Sequence, residues 1–285
     1  MKKTLTATLA AGLIANGAAQ ADDGRHTHLV TSLMSAINSY DANGALEVLD
    51  PDYRQHNPFI PDTAAGLVSL FPSMKDAGVN VETVLMLEDG DNVVAFNRWG
   101  NAEIFGQGCA HMAAFDFFFV NQDNKLAAHW DAMMCERPPN ASGRSIADGV
   151  TEITDLHKTE ENKAKLSTAF DTFINGTPEQ AAAALTTYFH TDYRQHNPDG
   201  SDGIEGFMAA QMSAEVTPRW QFTRLHKLVG QGNYVLAISE GLHNGVHSVF
   251  YDLVRFENGK IAEHWDVIQA VPTEGLANDN TMFDF

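Results

Sequence analysis

The chain has only two cysteines, and its 18 lysines and arginines are outnumbered by 37 aspartates and glutamates. The formal net charge of −19 makes polyanions such as nucleic acid and anionic membranes poor partners. Beyond a short apolar run near the start, no stretch approaches the roughly 20 apolar residues that a membrane-spanning helix needs. We therefore expect no nucleic-acid partner and no membrane partner, and we attribute the acidic excess to solubility.

The N-terminus has the pattern of a secretory signal peptide. Met1-Lys2-Lys3 is followed by an apolar run from Leu5 to Ala15 and by the small-residue site Ala19-Gln20-Ala21. We expect cleavage after Ala21 and a periplasmic or secreted protein. The alternative is that this segment is an N-terminal helix of the fold. Such a helix would not need a basic start, a short apolar run and a small-residue site in this order.

The two cysteines flank a predicted β-hairpin. Strand-like runs at 113–120 and 125–134 are separated by the turn-like residues 121–124. Folding about that turn places Cys109 opposite Cys135 or one residue away. In an oxidising compartment this arrangement predicts a disulfide bond.

A sequence motif occurs twice. The hexapeptide from Tyr53 to Pro58 returns unchanged from Tyr193 to Pro198, 140 residues later (193 − 53). His129-Trp130-Asp131 returns as His264-Trp265-Asp266 after 135 residues (264 − 129). A repeat of this length is a whole domain rather than a solenoid unit of about 20 to 50 residues. The chain is therefore predicted to be a tandem duplication.

Each half is predicted to contain helices first and strands afterwards. Apolar residues recur at helical spacing over 29–37 and 166–174, and strand-like runs cover most of 221–269. Helices followed by antiparallel strands indicate an α+β fold. We assign 1–21 to the signal peptide, 22–137 to the first domain, 138–157 to a linker, 158–275 to the second domain and 276–285 to a C-terminal tail.

This order of elements resembles the SnoaL-like polyketide cyclase family of the nuclear transport factor 2-like superfamily. The resemblance rests on the Tyr193–Pro198 motif and on the final strand from Gly259 to Gln269. It implies two tandem cone-shaped α+β barrel domains, each enclosing a small apolar pocket. The first half departs from the pattern, because Ala128 replaces Glu263 and Met133-Met134 replaces Val267-Ile268-Gln269.

The resemblance also implies a chemistry. Members of the family act on small carbonyl compounds by acid–base catalysis, through aldol cyclisation, isomerisation or dehydration, without a metal or another cofactor. We expect the chain to be an exported lyase or isomerase of this kind, more active in its second half. The alternatives are a non-catalytic periplasmic protein that binds a small molecule, and an interaction module of two paired domains.

The candidate base is Asp266, because desolvation in an apolar pocket raises the pKa of a carboxyl group. His264 would share the proton, while His196 and Asn197 would donate hydrogen bonds to an enolate oxygen. Asp252 and Asp116 rank below Asp266 as bases.

A tight turn at Asn258-Gly259 sets the register of the last hairpin. An unbroken hairpin pairs Leu253 with His264 and Tyr251 with Asp266, which adds His247 and Tyr251 to the substrate-binding face. A bulge would flip part of this row. The corresponding substrate-binding candidates of the first half are His56, Asn57, His129 and Asp131.

Three further interpretations assign structural positions rather than roles in the site. His-Asn-Pro can be a structural turn whose Asn bonds the backbone, and Trp130 and Trp265 are expected to pack in the core or an interface. His26 and His28 are expected to be exposed.

A metal site is the main rival to metal-free chemistry, because histidine and aspartate suit Zn²⁺ or Fe²⁺. The two sets considered are His56, His111, His129 and Asp131, and His196, His247, His264 and Asp266. No tight motif such as His-Glu-x-x-His occurs, so we expect no metal.

The expected partners are a small-molecule ligand and the other domain, the two sheets forming an internal pseudo-dimer. A first-half cavity filled by Phe115 and 117–119 would instead favour the interaction module.

Overall fold

The computed structural model describes residues 24–105, 108–213 and 218–285. The expected signal peptide lies outside these residues. Among the helices within them, none combines the length and the apolar character needed to cross a membrane.

The first domain places its helices before its sheet. The elements are α1 (Thr27–Ser39), α2 (Ala42–Val48), β1 (Leu49–Gln55), α3 (Thr63–Val68), α4 (Phe71–Ala77), β2 (Asn80–Asp89), β3 (Asn92–Gly100), β4 (His111–Val120) and β5 (Leu126–Cys135). The sheet order is β1-β5-β4-β3-β2, and β1 pairs with β5 in parallel. The other pairs are antiparallel.

The second domain repeats this plan. Its elements are α5 (Thr159–Asn175), α6 (Pro178–Tyr188), β6 (Phe189–Gln195), α7 (Gly203–Met212), β7 (Trp220–Gln231), β8 (Tyr234–His243), β9 (Val246–Glu257) and β10 (Lys260–Ala270). The sheet order β6-β10-β9-β8-β7 matches that of the first domain. The predicted α+β fold with two tandem domains is confirmed.

Local sequence explains where α6 begins. The side chain of Thr177 accepts a hydrogen bond from the backbone of Gln180, and the Gln180 side chain accepts one from the backbone of Thr177. Pro178 stands at the first helical position, where its missing N–H costs nothing. The helix therefore starts at a fixed point and leads directly into β6, which carries the repeated motif.

The last hairpin contains a bulge that overturns the predicted register. Asn258 and Gly259 both have positive φ, 51° and 80°, as a tight two-residue turn requires. Arg255 then pairs with Glu263, so Ala262 is an extra residue on β10. The predicted pairing of Tyr251 with Asp266 is wrong, because the extra residue shifts every later pair by one position.

With the observed register, Asp252 lies opposite Asp266, and Val254 lies opposite His264. Because neighbouring residues on a strand point to opposite faces, this shift moves Tyr251 to the other face of the sheet. Asp252, which ranked below Asp266 as a base, takes its place on the face of Asp266.

The predicted disulfide bond is confirmed. Cys109 and Cys135 are bonded, with their Cα atoms 5.9 Å apart. Cys135 ends β5 opposite Met112, so the hairpin of β4 and β5 brings the two sulfur atoms together.

The two sheets pack against each other through one shared apolar core. Phe96, Phe115 and Trp130 of the first domain belong to the same buried cluster as Tyr251 and Trp265 of the second. Phe115 and Tyr251 stack with ring centroids 6.4 Å apart. The expectation that Trp130 and Trp265 serve packing is confirmed.

The segment after each domain runs over the repeated motif of the other domain. Asn140 donates from Nδ2 to the carbonyl oxygens of Gln195, at 2.6 Å, and Asn197, at 3.2 Å. Asn278 donates to the carbonyl oxygens of Asn57, at 2.7 Å, and Ile60, at 2.8 Å. The expected linker and tail are therefore straps that hold the motif-bearing loops.

One expectation about the start of the first domain is wrong. His26 is buried, and its backbone N–H donates to Glu88 at 2.9 Å. Its ring nitrogen Nδ1 lies 3.1 Å from the side-chain oxygen of Asn124. His28 is exposed as expected.

Candidate functional site

The second domain contains a cavity of about 330 Å³ between its helices and its sheet. Helices α5, α6 and α7 form one wall, and strands β6, β7, β9 and β10 form the other. The apolar lining includes Phe170, Phe173, Leu185, Phe207, Trp220 and Phe250. The polar side chains of the lining include Tyr193, Gln195, Asp252, His264 and Asp266. A ligand of this cavity would therefore meet an aromatic wall and a cluster of polar groups.

The polar groups form one hydrogen-bonded network. His264 Nε2 lies 3.1 Å from Asp252 Oδ1, and His264 Nδ1 lies 2.9 Å from Gln195 Oε1. Asn197 donates from Nδ2 to both carboxylate oxygens of Asp266, each at 2.8 Å. The pairing of β6 with β10 places Gln195 beside His264, and the pairing of β9 with β10 places Asp252 opposite Asp266.

Burial sets the charge state of this network. Desolvation raises the pKa of Asp266 to about 6, and the charge of Asp252 adds to the effect, although His264 and the Asn197 amide oppose it. For His264, burial disfavours the charged form. The hydrogen bond to Asp252 and the charge of Asp266 outweigh it, so the pKa of His264 lies above its usual value. The network can therefore gain or lose a proton near neutral pH.

The first domain has the same polar network. His129 Nε2 lies 3.1 Å from Asp116 Oδ1, and its Nδ1 lies 2.8 Å from Gln55 Oε1. Asn57 donates to Asp131 at 2.8 Å, and burial raises the pKa of Asp131 to about 6. The duplication has kept the groups that could carry chemistry.

The space around the first network is small. The cavity there measures about 30 Å³, roughly one water molecule, and is lined by Trp99, Phe105, Phe118 and Met133 among others. Gly241 occupies the position of Trp99 in the second domain. Within the described part of the chain, the first network therefore has room for little more than water.

The two networks also differ at one carboxylate. Asp116 Oδ2 accepts hydrogen bonds from Asn97, at 2.7 Å, and from the indole of Trp99, at 3.4 Å. Ser239 stands at the position of Asn97, and Asp252 Oδ2 has no partner among the described residues.

His196, a predicted catalytic residue, does not line the cavity. His196 Nδ1 lies 2.8 Å from the carbonyl oxygen of Ser145, its Nε2 lies 3.0 Å from Glu263, and its ring stacks on Trp265 at 4.7 Å. His196 therefore holds the linker strap rather than a ligand. The predicted role for this residue is wrong, because β6 ends at Gln195 and the chain turns towards the strap.

His247 and Tyr251 are likewise misplaced by the predicted register. His247 is exposed and bonds Glu240 at 2.8 Å, while Tyr251 is buried in the core between the sheets. His56 also leaves the site, since its Nδ1 bonds the carbonyl oxygen of Thr281 at 2.7 Å and its ring stacks on Trp130 at 4.3 Å.

Asn197 combines the two roles that the sequence left open. Its Nδ2 donates to Asp266, and its Oδ1 accepts the backbone N–H of Asp199 at 2.7 Å, as in a structural turn. Asn57 repeats this with Asp131 and Phe59. Sequence reasoning missed Gln195 and underrated Asp252. The unchanged Gln of the repeated motif was the signal that could have identified Gln195.

Neither predicted set of metal ligands comes together, because His111 and His247 are exposed and His196 and His56 face the straps. The structure instead gathers Asp116, His129 and Asp131, and Asp252, His264 and Asp266, each set with ligand atoms within 4.8 Å of one another. Their types suit a divalent metal. Both ring nitrogens of His264 and both oxygens of Asp266 already have protein partners, an arrangement that fits a proton-sharing network.

Comparison with known families gives one match, at residues 169–264, to the SnoaL-like domain. The second domain is therefore similar to the SnoaL-like domain over these residues. No curated protein matches the sequence. The matched residues run from within α5 to the middle of β10, so they include Gln195, Asp252 and His264.

Several solved structures resemble one domain of the chain. TsrD from Streptomyces laurentii is 21% identical over 40% of this chain and 91% of its own, with a TM-score of 0.34. IdmH from Streptomyces antibioticus is 18% identical over 38% and 91%, with a TM-score of 0.32. A SnoaL-like protein of unknown function from Burkholderia thailandensis is 12% identical over 38% and 94%, with a TM-score of 0.32.

Proposed function

We propose that the second domain is a cofactor-independent lyase or isomerase that acts on a small apolar carbonyl compound by acid–base chemistry. The observation that carries this proposal is the buried carboxyl group of Asp266 on the wall of a 330 Å³ apolar cavity, beside the linked pair of His264 and Asp252. The SnoaL-like match over 169–264 supports it.

Asp266 is the proposed base. Burial places the pKa of its carboxyl group near 6, which favours proton transfer from a carbon next to a carbonyl group. Asn197 donates to both oxygens, and each oxygen keeps a lone pair for a proton from the ligand. The amide therefore fixes the direction of the carboxylate without removing its basicity.

His264 and Asp252 are the proposed proton relay. Their side chains lie 3.1 Å apart and both line the cavity. Once Asp266 has taken the carbon-bound proton, the negative charge develops on the ligand's oxygen, and a proton from this pair can neutralise it. Return of the proton to another carbon gives isomerisation, attack of the carbanion on a second carbonyl gives aldol cyclisation, and loss of a hydroxyl group gives dehydration.

Deuterium exchange tests this proposal without knowledge of the substrate. A panel of β-dicarbonyl compounds is incubated in deuterated water, and exchange of the acidic C–H protons is followed by NMR. Asp266→Asn should reduce the enzyme-dependent rate by about 10² to 10⁴. Asp131→Asn is the matched change beside the much smaller cavity and should have a much smaller effect. Full activity of Asp266→Asn would rule out Asp266 as the base.

A second candidate function is non-catalytic binding of a small molecule. The observation that favours it is the double engagement of Asp266 by Asn197, which is what a carboxylate held for structure or for ligand contact would also show. In that case the panel would bind, with saturable shifts of ligand signals, but wild-type protein would not accelerate exchange.

We also propose that the protein is exported and that the paired domains work as one internal pseudo-dimer. The signal-like N-terminus and the bond between Cys109 and Cys135 support an oxidising compartment. The shared core between the sheets supports a single compact particle. Small-angle scattering of the processed chain would contradict the pairing if it gave the profile of two loosely tethered bodies.

A further inference from the structure

The orientation of the Gln195 side-chain amide follows from its neighbours. The backbone N–H of Asn197, which can only donate, lies 2.9 Å from Gln195 Oε1. The amide nitrogen Nε2 lies 3.2 Å from the hydroxyl of Tyr193. The atom that faces the backbone N–H must therefore be the carbonyl oxygen, which accepts hydrogen bonds and cannot donate one.

This orientation determines which nitrogen of His264 carries a hydrogen. Gln195 Oε1 also lies 2.9 Å from His264 Nδ1. Because the oxygen can only accept, Nδ1 must carry a hydrogen and donate it. The other nitrogen, Nε2, is then the atom whose proton can be absent, and it faces Asp252 Oδ1 at 3.1 Å.

We propose that Gln195 is a positioning residue that holds neutral His264 in its Nδ1–H form, so that Nε2 exchanges protons with Asp252 and with a bound molecule. Without this acceptor, the ring could carry its hydrogen on Nε2 and donate it to Asp252. The nitrogen left bare would then be Nδ1, on the side away from Asp252.

Strand pairing and a backbone hydrogen bond together hold Gln195 against His264. Gln195 and His264 are register partners in the parallel pairing of β6 with β10, so their side chains lie side by side. The backbone N–H of Asn197 then holds the amide in place. Gln195 is almost completely buried, so water does not compete for its oxygen.

The first domain contains an independent copy of the arrangement. Gln55 Oε1 accepts the backbone N–H of Asn57 at 2.8 Å and lies 2.8 Å from His129 Nδ1. His129 Nε2 faces Asp116 at 3.1 Å. The same three contacts in both halves indicate that the glutamine of the repeated motif is built to direct the histidine.

Nitrogen-15 NMR of the imidazole rings tests the proposal without a substrate. Long-range proton–nitrogen correlations distinguish Nδ1–H from Nε2–H, and His264→Gln assigns the signal. Wild-type protein, at a pH where His264 is neutral, should show the Nδ1–H form. Gln195→Glu keeps an acceptor and should retain that form. Gln195→Leu removes the acceptor and should convert the ring to Nε2–H.

The catalytic consequence rests on the proposed function and is measured separately. In the deuterium-exchange assay, Gln195→Leu should lower kcat by at least tenfold with little change in KM, and Gln195→Glu should restore part of the rate. Gln55→Leu is the matched control and should alter His129 but not the rate. If the leucine variant does not fold, the wild-type and glutamate spectra still decide the matter.

The outcomes separate the two proposals. An Nε2–H signal for His264 in wild-type protein would overturn the role of Gln195, whatever the activity. An Nδ1–H signal that Gln195→Leu leaves unchanged would do the same. The expected tautomers without any exchange activity would instead leave the role of Gln195 in place and count against the proposed reaction.

Discussion

Phe118 stands opposite His129 in the first domain at the position that Val254 takes opposite His264 in the second. Both residues line the cavity of their domain, which measures about 30 Å³ in the first and about 330 Å³ in the second. The duplicated polar networks are nearly the same. The size of lining residues such as Phe118 and Val254 therefore decides which network a ligand can reach.

Val254→Phe should close the second cavity. The larger side chain has existing space to enter, so the usual overpacking cost of about 1 to 3 kcal/mol should largely be avoided. Binding of apolar carbonyl compounds and the exchange rate should both fall by at least tenfold, while the circular dichroism spectrum is retained. The matched change Phe118→Val should leave the rate intact and cost about 2 to 4 kcal/mol of stability. Unaltered ligand binding by Val254→Phe would contradict this account of the cavity.

Much of the fold could be predicted because its signals are local. Asn258-Gly259 marks the last turn, Thr177-Pro178 marks the start of α6, and the repeat of the Tyr53–Pro58 motif reveals the duplication. Each depends on a few neighbouring residues, so it can be recognised without knowledge of the tertiary structure. The disulfide bond followed in the same way from the hairpin that separates the cysteines.

The site was less predictable, because a single extra residue determines its composition. The bulge at Ala262 has no marker such as glycine or proline, yet it exchanges Tyr251 for Asp252 on the face of Asp266. The role of His196 depends on the strap at Ser145, which is distant in sequence. Long-range contacts of this kind leave no periodic pattern in the chain.

The raised pKa of Asp266 predicts a pH-dependent stability difference. The folded protein holds this proton up to about pH 6, whereas the unfolded chain releases it near its ordinary value of 3.8. Between these values the folded state binds more protons, so stability falls as pH rises through the folded pKa. Asp266→Asn removes this loss.

Relative to wild type, Asp266→Asn should therefore gain stability as the pH rises from about 4 to 7, by about 2 to 3 kcal/mol. Urea unfolding at several pH values measures the difference. Asp131→Asn should behave alike, because burial also raises the pKa of Asp131 to about 6. A difference that stays constant over this range would show that the carboxyl group does not titrate differently on folding.

Removal of the disulfide should destabilise the first domain. Cys109 and Cys135 are separated by 26 residues, and the bond restricts the unfolded chain. The double change to alanine should cost about 2 to 4 kcal/mol in equilibrium unfolding. A reducing agent should lower the stability of wild type by a similar amount and should not affect the variant. Equal unfolding midpoints for oxidised and reduced wild type would refute a stabilising role.

The two straps allow a matched test of whether holding the motif-bearing loop matters for activity. Asn140 bonds the carbonyl oxygens of Gln195 and Asn197, which carry the proposed positioning and binding groups. Asn278 makes the corresponding bonds to the first-domain loop at Asn57 and Ile60. Each change to alanine removes two hydrogen bonds to backbone carbonyl oxygens, and should cost about 1 to 3 kcal/mol.

Only Asn140→Ala should lower the exchange rate, because Gln195 lines a cavity of about 330 Å³ whereas the first-domain cavity measures about 30 Å³. We expect a loss of at least tenfold in kcat for Asn140→Ala and wild-type kinetics for Asn278→Ala, with similar losses in unfolding free energy. Stability and activity are measured on the same samples, so a general loss of folded protein is separated from a local effect. Equal kinetic losses in the two variants would mean that the straps act through the stability of the whole particle. The position of Gln195 would then not depend on the linker.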